Sequence, residues 1–346
     1  MSWHLLRRMP HGVVFVTATV GRAKNSRQAK STQRRVVLFV LGPQRSGTSA
    51  ITRVLSLSGG ALPAGMLGAD AGNPRGYWEP RKAIAINETI LYRHATAWFD
   101  PSLRSMDDDA LDAREKAACI GQIEDYLTKL PQAPLLVIKE PRITTLSPLW
   151  FEAARRAGFE VAAVIAVRHP MEVVASVAAT WQVSRQLSAA LWLKYSLLAE
   201  RYTRGLPRVF VDYADFVDNW RREVKRIATT LDIDLNTQQE DAIEEFLTPD
   251  LRRQRHSGCV QGLGGADWIS TVHATLCEAA HDEPLDGAAL DRIFEWYRAS
   301  EHELRSAFAD FRALSKRALY RFLRPSIAMP MMELVALAHR RRGTWA

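Results

Sequence analysis

The sequence predicts an α/β fold in three layers, α/β/α, with a central, mostly parallel sheet and a helical C-terminal extension. Two observations carry this. Four short apolar runs, at 36–41, 135–138, 161–167 and 209–211, lack the alternation of a half-exposed strand, so both faces of each are buried. Between them lie segments of helical length and spacing, so successive strands are joined by crossovers rather than hairpins. The composition, 47% hydrophobic and 24% charged, is that of a globular chain, and 346 residues suffice for a large core.

Taken in order, residues 1–35 hold eight Lys/Arg and no acid, and read as a basic tail. Strand one, 36–41, runs into a Gly-bounded loop, 42–49, and a helix over 48–58 that Ser58-Gly59-Gly60 ends. Residues 59–80 are rich in Gly and Pro and form a long loop closing with Asn73-Pro74-Arg75-Gly76-Tyr77-Trp78-Glu79-Pro80. Ile84, Ile86, Ile90 and Leu91 predict a helix over 81–93, and Asp107-Asp108-Asp109 opens another that runs to 130, before Pro131 and Pro134. Strand two, 135–138, ends in Lys139-Glu140-Pro141-Arg142, and a helix over 148–157 leads to Gly158. Strand three, 161–167, ends in Arg168-His169-Pro170, with Pro170 suited to a first helical position. Helices over 170–180 and 184–204 follow, the second with Leu187, Leu191, Trp192, Tyr195 and Leu198 on one face. Gly205-Leu206-Pro207 turns into strand four, 209–211, and helices fill the remainder. The expected organisation is a tail (1–35), an α/β domain (36–260) and a helical extension (261–346).

The net charge of +8 sits at the ends: residues 312–346 hold eight Lys/Arg against one acid, Glu333, which leaves residues 36–311 at −7. A pI of 9.6 therefore does not indicate a nucleic-acid-binding core. The basic ends are read either as contacts for an anionic membrane surface or as solvated tails. Cys119, Cys259 and Cys277 show neither a disulfide framework nor a zinc spacing. No apolar run is long enough to span a bilayer, and the short stretch 11–21 is read as tail rather than as a secretion signal. The expected location is cytoplasmic, with the ends available to the inner face of the membrane.

Strand, Gly loop and helix at 36–55 form a phosphate cradle, in which backbone N–H groups and the helix dipole face an anion. The spacing Gly42-x4-Gly47 is that of a Walker A loop, but Thr48 stands where that motif has Lys, and the loop's cation is Arg45. Strands two and three end in Lys139 and Arg168 rather than in a metal-binding Asp. Arg45, Lys139, Arg142 and Arg168 converging on one sheet edge describe a metal-free pocket for a polyanion.

The loop Gly42-Pro43-Gln44-Arg45-Ser46-Gly47-Thr48-Ser49 resembles the 5′-phosphosulfate loop of sulfotransferases that use 3′-phosphoadenylyl sulfate (PAPS), a P-loop-like family. Arg168 and Ser176, eight residues apart in Val167-Arg168-His169-Pro170-Met171-Glu172-Val173-Val174-Ala175-Ser176, resemble that family's 3′-phosphate motif. Lys139-Glu140-Pro141-Arg142 is similar to the Lys-acid-Pro segment of tyrosylprotein and many bacterial members, and Asn73–Glu79 to a bacterial loop. The resemblance covers about residues 36–256; of the cytosolic members' C-terminal motif only a faint echo stands at 262–268. It implies PAPS as donor, held by Arg45, Ser46, Gly47, Thr48, Ser49, Arg168 and Ser176, with Lys139 and Arg45 facing the transferring group and no metal. The acceptor is expected to be a hydroxyl on a carbohydrate or a lipid-linked glycan.

A hydroxyl acceptor needs a base within hydrogen-bond reach. Glu79 is the first candidate, with apolar Trp78 beside it; His94 is the second, and His169 is read as shaping its turn. Arg142 is read as a support or a 3′-phosphate contact. Trp78 and Trp181 are candidate stacking platforms, whereas the apolar helix face explains Trp192. Residues 311–324 have helical amphipathic spacing, with Phe311, Leu314, Ala318 and Phe322 opposite Lys316, Arg317, Arg321 and Arg324, and are read as an interfacial helix or as one docked on the body. The alternatives are a small-molecule kinase, against which Thr48 counts, and a non-catalytic nucleotide-binding protein at a membrane.

Overall fold

The computed structural model describes residues 34–70, 72–94, 96–103, 112–236, 239–248, 256, 266–300, 310, 313–314 and 325–341. The basic tail up to residue 33, Asp107-Asp108-Asp109, Cys259, residues 262–265 and most of 311–324 lie outside the described residues.

The strands β1 (Val36–Leu41), β2 (Leu135–Ile138), β3 (Glu160–Val167) and β4 (Arg208–Asp212) form one sheet in the order β2-β1-β3-β4. Every pairing is parallel; Val36 lies opposite Leu135 on one side and Glu160 on the other. Alternate residues of β1 enter different cores. Val37, Phe39 and Leu41 pack with α3 (Ala113–Thr128), α4 (Pro141–Arg156) and α6 (Arg185–Tyr202). Val36, Leu38 and Val40 pack with α1 (Thr48–Leu57), α8 (Trp220–Leu231) and α9 (Glu240–Phe246). Helices on both faces account for the unbroken apolar strands and give the three layers. The remaining helices are α2 (Arg81–Arg93), α5 (Pro170–Trp181), α7 (Tyr213–Asp218), α10 (Ala266–Ala280), α11 (Gly287–Ala299) and α12 (Pro325–Arg341). Within the segment 261–346, α10 and α11 place Ile269, Val272, Leu276, Leu290 and Ile293 in the same core as Phe39.

Three elements differ from expectation. Helix α4 begins at Pro141 rather than near 148: Pro141 takes the first helical position, and the helix carries Pro148 in its interior. Arg142 therefore sits in the first turn of a helix, not at the end of a strand. Helix α3 begins at Ala113, capped by the Asp112 carboxylate, which accepts from the Glu115 N–H at 2.8 Å. Helix α6 is not apolar on one face only; it is buried all round from Leu187 to Glu200. Its charges are matched inside: Lys194 Nζ donates to the Asp100 carbonyl at 2.8 Å, and Glu200 accepts from Arg204 and Arg208.

Strand order reverses at β1, which has β2 on one side and β3 on the other. This is the switch point at which α/β sheets open a crevice beyond their C-terminal strand ends.

Candidate functional site

A cleft of about 280 Å³ opens there, lined among others by Arg45, Thr48, Ser49, Tyr77, Glu79, Lys139, Arg142 and Arg168. The loop after β1 sets its floor. Arg45 and Gly47 are left-handed, with φ 67° and 89°. Gly47 caps α1; no side chain caps that helix and its first turn holds no acid, so its positive end faces the cleft through Gly47, Thr48 and Ser49. A Cβ on Gly47 would lie 2.0 Å from the Tyr213 ring. Gly47→Ala is therefore expected to lower stability by about 1–3 kcal/mol through the left-handed backbone alone, and by more through the clash. In thermal unfolding, Gly47→Ala should cost less in a Tyr213→Ala background, where only the backbone part remains.

The end of β3 meets this loop. Arg168 NH1 donates to the Arg45 carbonyl at 2.8 Å, and Arg45 Nε donates to Ser176 Oγ at 3.0 Å. Arg45, Arg168 and Ser176, named from sequence, are thus in one place. Arg168 also lies over the Tyr213 ring at 4.6 Å and pairs through Nε with Glu172 at 2.8 Å, a carboxylate only 1% exposed. Trp192 is a core side chain, as its helix face predicts, and its Nε1 donates to the Arg168 carbonyl at 3.3 Å. His169 shapes the turn by accepting from the Met171 N–H at α5.

At β2, Lys139 is buried and donates to Glu79 Oε1 at 2.5 Å, the Tyr77 carbonyl at 3.1 Å and Ser49 Oγ at 3.2 Å. These account for its three protons. Burial pushes Glu79 above the usual carboxylate range, against the pull of Lys139. Oε2 of Glu79 takes no hydrogen bond among the described residues. Arg142 pairs with Glu88 and Glu140. Burial pulls it down, but those two carboxylates and Glu79 outweigh burial and hold it well above its ordinary value. Glu140 also accepts from Asn87 Nδ2 at 2.5 Å, and Asn87 Oδ1 accepts from Trp150 Nε1 at 2.7 Å.

The edge is therefore not a row of unpaired cations. Lys139, Arg142 and Arg168 each carry a buried carboxylate partner, which an α/β edge beside a low-dielectric core requires. An incoming anion meets preoriented ion pairs, with the end of α1 between them.

The Gly-rich loop has structure of its own. Ala61 bridges in parallel to Leu136, and Arg75 donates to the Glu245 and Phe246 carbonyls at the end of α9. Left-handed Gly76 and Trp78 turn Tyr77, not Trp78, toward the cleft. Trp78 is buried beneath Arg53, 4.4 Å from its ring, and is no stacking platform for the cleft. Trp181 does line it, edge-on to Trp98 at a centroid distance of 4.5 Å. His94 lies at the C-terminal cap of α2 and does not line the cleft. The Ser46 side chain is fully buried, without a hydrogen-bond partner among the described residues, and also lies off the cleft wall. Sequence reasoning missed Tyr77, Trp98, Tyr213 and Glu172. Of these, Glu172 carried a signal, four residues after Arg168 on a predicted helix.

No family model and no curated protein matches the sequence. Among solved structures, the chain is similar to the sulfotransferase domain of the Synechococcus PCC 7002 olefin synthase, at 16% identity and TM-score 0.38, covering 78% of this chain and 97% of that one. It is similar to the sulfotransferase domain of the curacin biosynthetic pathway, at 16% identity and TM-score 0.37, covering 77% and 98%. It is also similar to the sulfotransferase STF1 from Mycobacterium tuberculosis H37Rv, at 14% identity and TM-score 0.34, covering 70% and 77%. Values this low assign no activity, and the case for one lies in the cleft.

Proposed function

We propose that this chain is a sulfotransferase that moves a sulfuryl group from PAPS to an acceptor hydroxyl. The observation that supports it most is the meeting of Arg45, Ser176 and Arg168 across the switch point, beside a helix start that no side chain caps. A nucleotide phosphorylated at both its 5′ and 3′ positions needs two anion sites about one strand apart. Backbone N–H groups at Gly47–Ser49 with Arg45 suit the first, and Arg168 with Ser176 the second.

Sulfuryl carries less charge than phosphoryl, so backbone dipoles, Arg45 and Lys139 can stabilise the charge that develops on the leaving oxygen. Lys139 would exchange its bond to the neutral Ser49 hydroxyl while keeping Glu79 ionised. Glu79 would accept the acceptor's proton at Oε2 as oxygen attacks sulfur in line and the sulfur–oxygen bond to the bisphosphate breaks. The aromatic wall of Tyr77, Trp98, Trp181 and Phe246 suits a sugar ring or an aromatic alcohol on the acceptor side.

Calorimetry tests this. Adenosine 3′,5′-bisphosphate should bind without added metal, and ATP with Mg²⁺ should bind at least about tenfold more weakly, a difference of about 1.4 kcal/mol. The opposite preference would establish a kinase. Bisphosphate binding without sulfuryl transfer to any hydroxyl in a broad acceptor mixture would establish a non-catalytic binder.

A further inference from the structure

We infer that α12 carries a docking face for an anionic lipid surface, a property independent of the nucleotide reading. One side of this helix is fixed to the body. Ala336 is 3% exposed, Glu333 accepts from Arg81 of α2 at 3.3 Å, and His339 lies beside Gly68 of the Gly-rich loop. The opposite side carries Ile327, Met331, Leu334 and Ala338, at i, i+4, i+7 and i+11, one line on a helix. Val335 and Leu337 flank it, and Leu334 is 65% exposed. Of the seven large apolar side chains exposed among the described residues, five are on α12.

Charge selects the occupant. Residues 312–346 hold eight Lys/Arg and one acid, and that acid, Glu333, is the one paired with Arg81. A second copy of the chain would bring two strongly cationic segments together. An anionic bilayer neutralises them while taking up the apolar line. The geometry is that of a helix lying in the interface: 17 residues interrupted by Pro330, in a chain where no helix of the described residues is long and apolar enough to cross a membrane.

Flotation of the full chain with vesicles tests this. Phosphatidylcholine vesicles containing phosphatidylglycerol should bind the chain about tenfold or more better than pure phosphatidylcholine, and high salt should reverse it. The double variant Met331→Glu/Leu334→Glu should lose binding by about tenfold or more, since two apolar side chains no longer enter the interface. Its thermal unfolding and its bisphosphate affinity should not change, because both positions face outward. Three results would each overturn the inference: no binding to either vesicle, binding that the double variant retains, or a dimer in light scattering that the double variant dissociates.

Discussion

Lys139→Ala is expected to lower stability by about 3–5 kcal/mol at neutral pH, the usual effect of stripping one partner from a buried ion pair. The side chains of Lys139 and Glu79 are 3% and 8% exposed, so water cannot replace the lost partner. The size of the effect should depend on pH. Burial already holds Glu79 above its ordinary carboxylate value of 4.5, and Lys139 is the main group pulling it back. Without Lys139 the folded chain holds that proton more tightly still, and more tightly than the unfolded chain. Stability then falls as pH rises wherever the folded state binds the extra proton. The deficit relative to wild type should thus be small near pH 4.5 and grow toward neutrality. Urea unfolding across that range measures it, and Lys139→Ala/Glu79→Gln should flatten the curve. A deficit that does not change with pH would mean that Glu79 is not the charge Lys139 compensates. If the proposed function holds, transfer activity should fall by about 10²–10⁴, as for loss of a general base, because the main group that pulls Glu79 toward its ionised form is gone.

The sheet was legible because its signals are local. Fully apolar runs report strands buried on both faces, and a strand end followed by Gly or Pro reports where a helix starts. That Arg45, Arg168 and Ser176 lie at one edge was legible for the same reason: each is fixed by a few residues of its own strand, loop or helix. The ion pairs were not legible. Glu79 and Lys139 are 60 residues apart and Arg142 and Glu88 are 54 apart, and only the packing of α2 and α4 beside β2 joins them. The choice between Tyr77 and Trp78 turned on a single left-handed φ at Trp78, which a bulky residue adopts only when its surroundings force it. Arg75 at the end of α9 and Arg53 over the Trp78 ring supply those surroundings. The helix expected over 148–157 began too late: the true start is Pro141, with Arg142 in the first turn and Pro148 inside the helix.

Arg168→Ala is expected to act on two quantities at once. Glu172 would be left buried without its guanidinium, at a cost of about 3–5 kcal/mol of stability. The Arg45 carbonyl would lose a bond from Arg168 that ties the loop to β3. Bisphosphate affinity should fall by about 1.5–3 kcal/mol, the value of a hydrogen bond to a charged group, or roughly 10–150-fold. A loss of affinity alone could be ascribed to a loosened loop, so the informative variant is Arg168→Ala/Glu172→Ala. Removing both charges removes the buried carboxylate that has lost its guanidinium, and most of the lost stability should return. The cation proposed to face the 3′-phosphate is still missing, so affinity should stay low. Recovery of affinity together with stability would sink the assignment and leave Arg168 a structural partner of Glu172. Stability recovered without affinity would separate the two roles of this side chain: one bond that orients it, to a carboxylate 1% exposed, and one face turned to the cleft.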